Sequence, residues 1–519
     1  MSSNKTVFVN ARIFTADPKR PWAEALVTEG ETIVFVGSNS GALAYQSSHT
    51  RKIDLNNRLV LPGFHDAHLH FAAGGFRRIG LNLRAANSLR EFVGAIADFL
   101  STVPEGEWVT SWGWDHENWP EKRYPTRQDV DPVSKNHPLL LQRLDGHVAL
   151  ANSLALKMAG VKRARKIPGG EIQIDPKSGE LTGILKDRAI ELVTAAIPPI
   201  SKARRRKAIE AAFEYAARLG VTSVQEMETH PDSFELYREM LDRGEMTVRV
   251  RAVPLPEHLE ALAETGNPRW LVSSGVKLFS DGSLGAGSAW MFEPYADAPT
   301  STGLAIHTES ELHRLLEKFD RLGRQICLHA IGDRANHVAV QALCRLAAQN
   351  RNAHRHRIEH VQVIREKDAD AMADCGLVAS LQPVHYLDDR RWLTNRIGPQ
   401  RLPAAYRLRS FIRRKIPVAF GTDWPVEDLN PLQGIYASVS RNIDSWTPQE
   451  GISLEEALLA YTRGSAFSEF SESWKGRLLP GFAADFVVLS ENLFRISPEE
   501  IPQVRVLRTV VGGKTVFEL

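Results

Sequence analysis

Two patterns of apolar residues divide the chain into end segments and a long middle segment. Near both ends, apolar and β-branched residues alternate with polar ones, which predicts β-strands at 7–15, 24–28, 32–36, 485–489, 504–511 and 514–517. Neither end has enough strands to bury a sheet face alone. We therefore expect residues 1–60 and 475–519 to meet in one small β-sandwich.

Between the ends, short apolar runs alternate with helical patterns. The strand-like runs lie at 59–64, 221–227, 248–253, 276–279, 326–330, 357–361, 378–382 and 417–423. Helical repeats fill most gaps, for example 208–219, 309–322 and 338–348. Eight strands with helical crossovers predict an α/β fold, a (β/α)8 TIM barrel over 61–474, with its active site at the C-terminal ends of the strands.

One gap in this pattern is too long for a single crossover. Phe71 and Val221 are about 150 residues apart, against the roughly 30 residues of an ordinary βαβ unit. We expect an insertion after the first barrel strand, at about 105–195, which includes a tryptophan-rich segment and a hairpin pattern at 171–185. Such insertions lie over the active-site end, so this one is predicted to form a lid or pocket wall.

Composition narrows the classes of partner. The 64 Lys and Arg residues nearly balance the 62 Asp and Glu residues, so no global charge favours nucleic acid or an anionic membrane. The N-terminus lacks a signal-peptide pattern, and no stretch has the roughly 18 apolar residues of a membrane span. We expect a soluble, cytoplasmic protein that binds a small molecule, as a homo-oligomer with a dimer favoured.

The cysteines offer little chemistry in the sequence. Cys327, Cys344 and Cys375 are odd in number and have no CxxC spacing. They predict neither a disulfide framework nor a thiolate zinc site, and they fit a reducing compartment. Any metal ligands would then be nitrogen and oxygen atoms.

The densest candidate chemistry is the His-x-His pair of His68 and His70. In an extended strand, residues i and i+2 point to the same face, so both imidazoles can converge on one metal ion. Taken alone, such a pair is more often a surface or core feature. His65 precedes His68 by an odd offset and is interpreted as a packing residue or as a support behind the site.

Lys277 lies within an apolar run, where a bare ammonium is costly to bury. A buried lysine with a lowered pKa can react with carbon dioxide, and the carbamate can bridge two cations. The alternative is an amine that reaches a carboxylate or solvent.

Three further candidates end predicted strands: His329, His360 and Asp423. Each alone could be structural, since Asp often caps a helix and His often satisfies a core carbonyl. Together with His68 and Lys277, they fall at the ends of strands one, four, five, six and eight. That shared placement favours a common site.

These residues resemble the metal-site pattern of the amidohydrolase superfamily. The flanking phrases are similar to the branch that contains N-substituted formamide deformylases: Val276-Lys-Leu-Phe-Ser-Asp-Gly-Ser283, His329-Ala-Ile-Gly-Asp333, Arg357-Ile-Glu-His360 and Gly421-Thr-Asp-Trp-Pro425. The resemblance runs nearly end to end, and it is more specific for fold and metal site than for substrate.

The resemblance implies two divalent metal ions, Zn²⁺ by preference, with Mn, Fe or Co as alternatives. His68, His70 and Asp423 would hold the more buried ion, His329 and His360 the other, and N6-carboxylated Lys277 would bridge them. A metal-bridging hydroxide would attack, with Asp423 as general base and then general acid. The expected reaction is cleavage of a non-peptide C–N bond in an amide, formamide, carbamate or cyclic amide.

The substrate pocket is less well defined by the sequence. Trp114, Trp290 and Trp424 are candidates for an apolar wall, and His147 and His385 for orienting a carbonyl. We expect a neutral substrate with a hydrophobic N-substituent. Two alternatives stay open: a mononuclear deaminase of a heterocyclic amine on the same barrel, and a non-catalytic binding relative.

Overall fold

The computed structural model describes residues 5–143, 147–167, 169–262, 267–350, 353–442 and 447–519. The chain forms two compact units, one from Gly75 to Ala208 and the other from the segments before and after it. Both units mix helices and strands, so the α/β class is confirmed.

The strands, in chain order, are β1 (Lys5–Phe14), β2 (Trp22–Ala23), β3 (Ala25–Glu29), β4 (Thr32–Gly37), β5 (Arg51–Pro62), β6 (Phe64–Leu69), β7 (Leu81–Asn82), β8 (Val109–Trp114), β9 (Leu139–Arg143), β10 (Val148–Ala151), β11 (Gly170–Ile174), β12 (Leu181–Asp187), β13 (Val221–Met227), β14 (Arg249–Val253), β15 (Leu271–Ser273), β16 (Val276–Phe279), β17 (Ile326–Ala330), β18 (Arg357–His360), β19 (Val378–Leu381), β20 (Val418–Phe420), β21 (Phe486–Leu489), β22 (Val506–Val511) and β23 (Lys514–Glu518).

The α-helices are α1 (Asn39–Leu43), α2 (Phe71–Ile79), α3 (Leu89–Leu100), α4 (Arg127–Val130), α5 (Ser153–Met158), α6 (Glu191–Thr194), α7 (Lys202–Arg218), α8 (Pro231–Asp242), α9 (Glu309–Arg321), α10 (Asp333–Asn350), α11 (Glu366–Asp374), α12 (His385–Asp389), α13 (Leu393–Ile397), α14 (Arg409–Arg413), α15 (Pro431–Val439), α16 (Leu454–Leu459) and α17 (Ser465–Ser468).

Strands from the two chain ends share one sheet. Its order is β23-β22-β21-β5-β1-β3-β4, with β2 beside β1, and the antiparallel pairing of β5 with β21 joins the two ends. Alternate residues of β1 enter different buried clusters: Phe8 packs with Phe486, while Val7 packs near Ala42 of α1. This burial on both faces follows from the period-two apolar pattern.

Two parallel sheets carry the candidate chemistry. One has the order β15-β14-β13-β6 and the other β16-β17-β18-β19-β20. Backbone hydrogen bonds also connect the two sheets, from β16 to the end of β14 and from the end of β20 to β6. Lys277 N–H donates to the Pro254 carbonyl at 2.9 Å, and Asp423 N–H donates to the His68 carbonyl at 2.7 Å.

The first strand of this region differs from the sequence prediction, which placed it at 59–64. Leu59 to Pro62 complete β5 in the end sheet, and the parallel strand begins at Phe64. The prediction was wrong because two apolar strands follow each other with only Gly63 between them. A side chain at Gly63 would overlap Thr222, so the close packing here requires glycine between the two strands.

The second unit, Gly75 to Ala208, has its own sheet in the order β11-β12-β10-β9-β8-β7. β11 and β12 form the predicted antiparallel hairpin. The unit also contains the end of α2, all of α3 and the start of α7. The insertion boundaries of about 105 and 195 stay a prediction.

The cysteine prediction was wrong. Cys344 of α10 and Cys375 at the end of α11 form a disulfide, with 5.4 Å between their Cα atoms. The 31-residue separation gave no local signal, and the pairing depends on α10 and α11 lying side by side. Cysteine usage therefore no longer supports a reducing compartment.

Across the described ranges, no helix is long and apolar enough to cross a membrane.

Gly421→Ala should destabilise the fold by about 1–3 kcal/mol, as overpacked positions do. The added Cβ would lie 2.5 Å from the His68 backbone nitrogen and 2.7 Å from Asp66 Oδ1. Thermal and urea unfolding would measure the loss. As a matched control, Gly94→Ala adds a Cβ within α3 with no atom within 4 Å and should not destabilise. Equal stability of both variants would contradict the tight packing at Gly421.

Candidate metal centre

Buried ligand-type side chains converge at the C-terminal ends of the parallel strands. One ligand atom each from His68, His360 and Asp423 lies within 4.8 Å of the others, and all three residues are buried. The His68 ring centroid lies 5.9 Å from that of His70 and 4.7 Å from that of His360. His329 continues the group, with its centroid 4.5 Å from that of His360.

Hydrogen-bond partners fix the tautomers of two of these histidines. His68 Nδ1 donates to Glu359 Oε2 at 2.6 Å, and His360 Nδ1 donates to Gln382 Oε1 at 2.8 Å. A carboxylate or amide oxygen can only accept here, so the ring proton lies on Nδ1. Each ring therefore keeps the Nε2 lone pair available for a metal ion.

The other two histidines present different atoms. His329 Nε2 donates to the Gly282 carbonyl at 3.1 Å, which leaves its Nδ1 lone pair available. His70 Nδ1 lies 3.0 Å from Glu228 Oε2, and its Nε2 lies 3.2 Å from Asp423 Oδ1. Burial disfavours a charged His70, but hydrogen bonds to Asp423 and Glu228 outweigh it and raise its pKa to about 9. His70 Nε2 therefore carries a proton directed at Asp423, and a metal ion at Nε2 would have to displace it.

The arrangement of His68 and Asp423 fits a cation. His68 Nε2 lies 3.5 Å from Asp423 Oδ1, and among the described residues no hydrogen-bond partner reaches this buried nitrogen. Burial and the Lys277 charge lower the pKa of His68 to about 4, so its Nε2 is unprotonated near neutral pH. A lone pair facing a carboxylate is repulsive without a cation between them, and a metal ion satisfies both atoms.

Lys277 is buried in β16 and belongs to the same region. Its Nζ lies 4.9 Å from the centroid of the Phe279 ring, and the side chain is 1% exposed. Burial lowers the pKa of Lys277, although the charges of Glu359, Asp423 and Glu228 oppose this shift. The amine is thus more readily deprotonated than an exposed lysine.

Among the predicted substrate-binding residues, His385 lies beside the ligand group. Its ring stacks with that of His360 at 6.3 Å, and its Nε2 lies 3.8 Å from Asp423 Oδ2. Gln362 Nε2 donates to His385 Nδ1 at 3.2 Å, so neutral His385 carries its proton on Nε2. That N–H is directed toward Asp423.

The predicted tryptophans have different environments. Trp424 follows Asp423 but is 4% exposed and packs its ring against Gly74, Phe71 and Tyr215. Trp290 lies in the segment after β16, where the Arg334 guanidinium covers its ring at 4.5 Å. Trp290 is only partly buried and keeps surface available for contact, whereas Trp424 mainly completes the core.

Trp114 and His147 lie in the second unit. Trp114 is fully buried in that unit's core, and its Nε1 donates to the Leu141 carbonyl. The sequence suggested Trp114 as part of a substrate pocket, but in the structure it offers no surface to a substrate. His147 is exposed, and its Nδ1 lies 2.9 Å from Asp187 Oδ1. It lines an open cleft of about 660 Å³ together with Gln142, Asp187, Arg188, Ile190, Glu191, Thr194 and Ala195.

The sequence reasoning missed the residues that hold the imidazoles. Glu359 lies on β18, Gln382 directly follows β19, and Glu228 directly follows β13. Arg357 and Glu359 stand two residues apart on β18, so the phrase Arg357-Ile-Glu-His360 contained a signal: residues i and i+2 of a strand share a face. Glu228 had no comparable local signal.

A second group of possible ligands does not fit a metal ion. His354 Nδ1 and His356 Nε2 both lie within hydrogen-bond distance of Asp320 Oδ1, at 2.6 and 2.9 Å. The Ile326 backbone N–H donates to His356 Nδ1 at 3.1 Å, so neutral His356 must carry its proton on Nε2. That proton occupies the position a metal ion would need, and the group is explained by hydrogen bonds.

Comparisons with known proteins agree over almost the whole chain. A model of the amidohydrolase family matches residues 51–517. LONG AFTER FAR-RED 3 of Arabidopsis thaliana is 34% identical over 98% of this chain and 91% of its own length. The N-substituted formamide deformylase of Arthrobacter pascens is 25% identical over 99% of this chain and 98% of its own. An uncharacterized metal-dependent hydrolase from Pyrococcus furiosus has a solved structure that is 31% identical, with a TM-score of 0.80, over 94% of this chain and 99% of that one.

Removing divalent ions with a chelator should lower the melting temperature, and adding Zn²⁺ should restore it, because an ion bound only by the folded state stabilises that state. His360→Ala should reduce bound metal, measured by elemental mass spectrometry. His354→Ala, from the second histidine group, should keep the wild-type metal content and serves as the control. Unchanged metal content in His360→Ala would exclude His360 as a ligand.

Proposed function

The chain belongs to the amidohydrolase family and is a metal-dependent hydrolase of that type, and from this premise we propose that it cleaves a non-peptide C–N bond. The substrate class would be an amide, formamide, carbamate or cyclic amide, and similarity to a formamide deformylase supports the formamide member. The observation that carries the proposal is the buried His68 Nε2 facing Asp423 Oδ1 at 3.5 Å, beside Lys277 and three more histidines.

We infer that the two parallel sheets close into one eight-stranded barrel, as the sequence predicts. β15 and β16 would be two parts of the fourth strand, interrupted at Ser274 and Gly275. The backbone hydrogen bonds Lys277–Pro254 and Asp423–His68 support closure at the two edges. The β-sandwich of the chain ends and a lid role for the second unit stay predictions.

The proposed centre would hold two divalent ions, most suitably Zn²⁺. His68, His70 and Asp423 would hold one ion and His329 with His360 the other. His68, His329 and His360 would bind through the lone pairs described above, and His70 through Nε2 once its proton is displaced. Lys277 would join them as N6-carboxylysine, for which its burial and lowered pKa are favourable. When bound, the ions would supply Lewis-acid activation of water and of the substrate carbonyl.

Asp423 would move the proton in this reaction. Burial raises the pKa of Asp423, but the hydrogen bond from His70 and the nearby charges of His68 and His360 hold it well below its usual range. The carboxylate is therefore ionised and can accept a proton from the attacking water. It would then give that proton to the departing nitrogen, which is a poor leaving group as an anion.

His385 and Trp290 are the side chains proposed to contact the substrate. The His385 Nε2–H, near Asp423, would donate to the substrate carbonyl oxygen as negative charge develops on it. Trp290 would offer apolar surface to the N-substituent. A role for His147 stays a prediction, as do the dimer and the cytoplasmic location.

Lys277 also separates the hydrolase from the alternatives. A mononuclear deaminase has no use for a bridging lysine, and a non-catalytic relative has no need to keep a buried amine whose charge acts on His68, His329 and His360. The burial of Lys277 beside Glu359 and Asp423 favours the hydrolase.

Lys277→Ala should lose metal and activity together, because the bridging ligand is removed. Short carboxylic acids should partly restore both, since they can occupy the space of the side chain and supply the carboxylate. Metal content and turnover, measured with and without added acetate or propionate, would test this. Full activity of Lys277→Ala without added acid would contradict a bridging role for Lys277.

Asp423→Asn should keep at least one metal ion yet lower kcat by about 10²–10⁴-fold, because the amide cannot accept or return the proton. Turnover would be measured on the substrates found by screening metal-loaded protein against formamides, anilides, carbamates and hydantoin-like rings. Wild-type rates in this variant would remove Asp423 from proton transfer. No hydrolysis of any of these classes by the wild-type protein would contradict the proposed reaction.

A further inference from the structure

A fully buried ion pair lies behind His68. Glu359 and Arg357 have no exposed side-chain surface, and they stand two residues apart on β18, so both point to the same face. Glu359 accepts from His68 Nδ1 at 2.6 Å and from Arg357 Nη2 at 3.1 Å through the same oxygen, Oε2. Arg357 Nε donates to the other oxygen of Glu359. The carboxylate thus links the imidazole to a guanidinium.

Arg357 is held from several neighbouring strands. Its Nη2 donates to the Ala67 carbonyl of β6 at 2.6 Å, and its Nη1 donates to Gln225 Oε1 of β13. Ser468 Oγ of α17 accepts a further bond at 3.3 Å. A planar guanidinium can make these bonds simultaneously, whereas the single ammonium of a lysine cannot reach the same acceptors.

We propose that Glu359, an ionised carboxylate whose charge is balanced by Arg357, is a positioning residue. It sets the tautomer, orientation and metal affinity of His68. This inference rests on the metal centre of the proposed function. The carboxylate holds the His68 proton on Nδ1 and directs Nε2 toward Asp423, as carboxylates behind metal-bound histidines do. A negative charge behind the ring also makes its lone pair a stronger donor to the ion.

The ion pair explains how this carboxylate can be buried. An unpaired carboxylate in this interior would be strongly destabilising, and so would an unpaired guanidinium. Each charge therefore requires the other. Replacing only Glu359 or only Arg357 by a neutral residue would therefore leave an unpaired buried charge, and its effect on folding would be mixed with any effect on His68. Replacing both residues together removes both charges and tests the effect on His68 alone.

The central variant is Arg357→Met with Glu359→Gln, which removes both charges and leaves an amide oxygen able to accept from His68 Nδ1. Buried ion pairs replaced as pairs by neutral side chains often retain stability. We expect the metal-free double variant to melt near the wild-type temperature and to bind Zn²⁺ about 10–100-fold more weakly. Competition with a chelator of known affinity would measure this, and the visible spectrum of Co²⁺-loaded protein would report the altered ligand field.

Glu359→Asp provides a second test if the double variant does not fold. It keeps the charge beside Arg357 but shortens the reach to His68 by one methylene. Metal affinity should again fall, with the same change in the Co²⁺ spectrum. A residue that served folding alone would change the melting temperature and leave both readouts at wild-type values.

Arg249 and Asp485 offer a matched control. They form another buried ion pair, with bonds of 2.7 and 3.0 Å, and no metal-ligand candidate contacts them through these bonds. Arg249→Met with Asp485→Asn should preserve Zn²⁺ affinity. An equal loss of affinity in this control would overturn the assignment, because any buried pair would then have the same effect.

His68→Ala, measured in parallel, separates the two hypotheses. Wild-type metal binding in His68→Ala would show that the proposed centre itself is wrong. Loss of metal in His68→Ala, combined with wild-type affinity and Co²⁺ spectrum in the variants of Glu359, would leave the centre intact and overturn the positioning role.

Discussion

The hydrogen bond from the Asp423 backbone N–H to the His68 carbonyl connects the last parallel strand to the first, and the geometry of the candidate centre depends on it. Asp66 reinforces this connection: its carboxylate accepts from the His68 N–H and from the backbone N–H and hydroxyl of Thr422. Gly421 permits the close approach that these bonds require. The carboxylate of Asp423 can therefore face His68 and His70, although more than 350 residues separate Asp423 from them in the sequence.

Charge balance explains why the interior tolerates so many ionisable groups. Glu359 and Arg357 neutralise each other. Once an ion displaces the His70 proton, Asp423, Glu228 and Lys277 are left to be compensated near the histidines. Carboxylation of Lys277 would give three negative charges against the four positive charges of two divalent ions. The remaining positive charge favours an anionic nucleophile over neutral water. The proposed modification and the proposed ions therefore support each other, since either alone would leave a larger uncompensated charge.

Local patterns predicted much of the fold but few of the contacts that complete the site. β13, β16 and β17 have the predicted bounds; β13 and β16 each begin directly after a glycine, and β16 and β17 are short runs of mainly apolar residues. The candidate ligands were recognisable because metal-binding residue types end such runs. Gln382 and Glu228 were missed, since their roles depend on strand neighbours that no local pattern encodes. The disulfide could not be predicted for the same reason, because it depends on α10 and α11 lying side by side. The burial of Trp114 likewise depends on the residues that pack around it in the core of the second unit.

The backbone at the strand ends indicates that the site is organised before any ion binds. Glu228, His360 and Asp423 have φ values of 58°, 73° and 60°, in the left-handed region that residues other than glycine rarely adopt. Such conformations cost roughly 1–3 kcal/mol each and persist only where surrounding bonds enforce them. The neighbouring backbone bonds do so here: Asp423 N–H reaches His68, and Val361 N–H, next to His360, reaches Ala330 at 3.1 Å. Folding alone therefore holds the candidate ligands close together. An ion would bind without first having to bring them together.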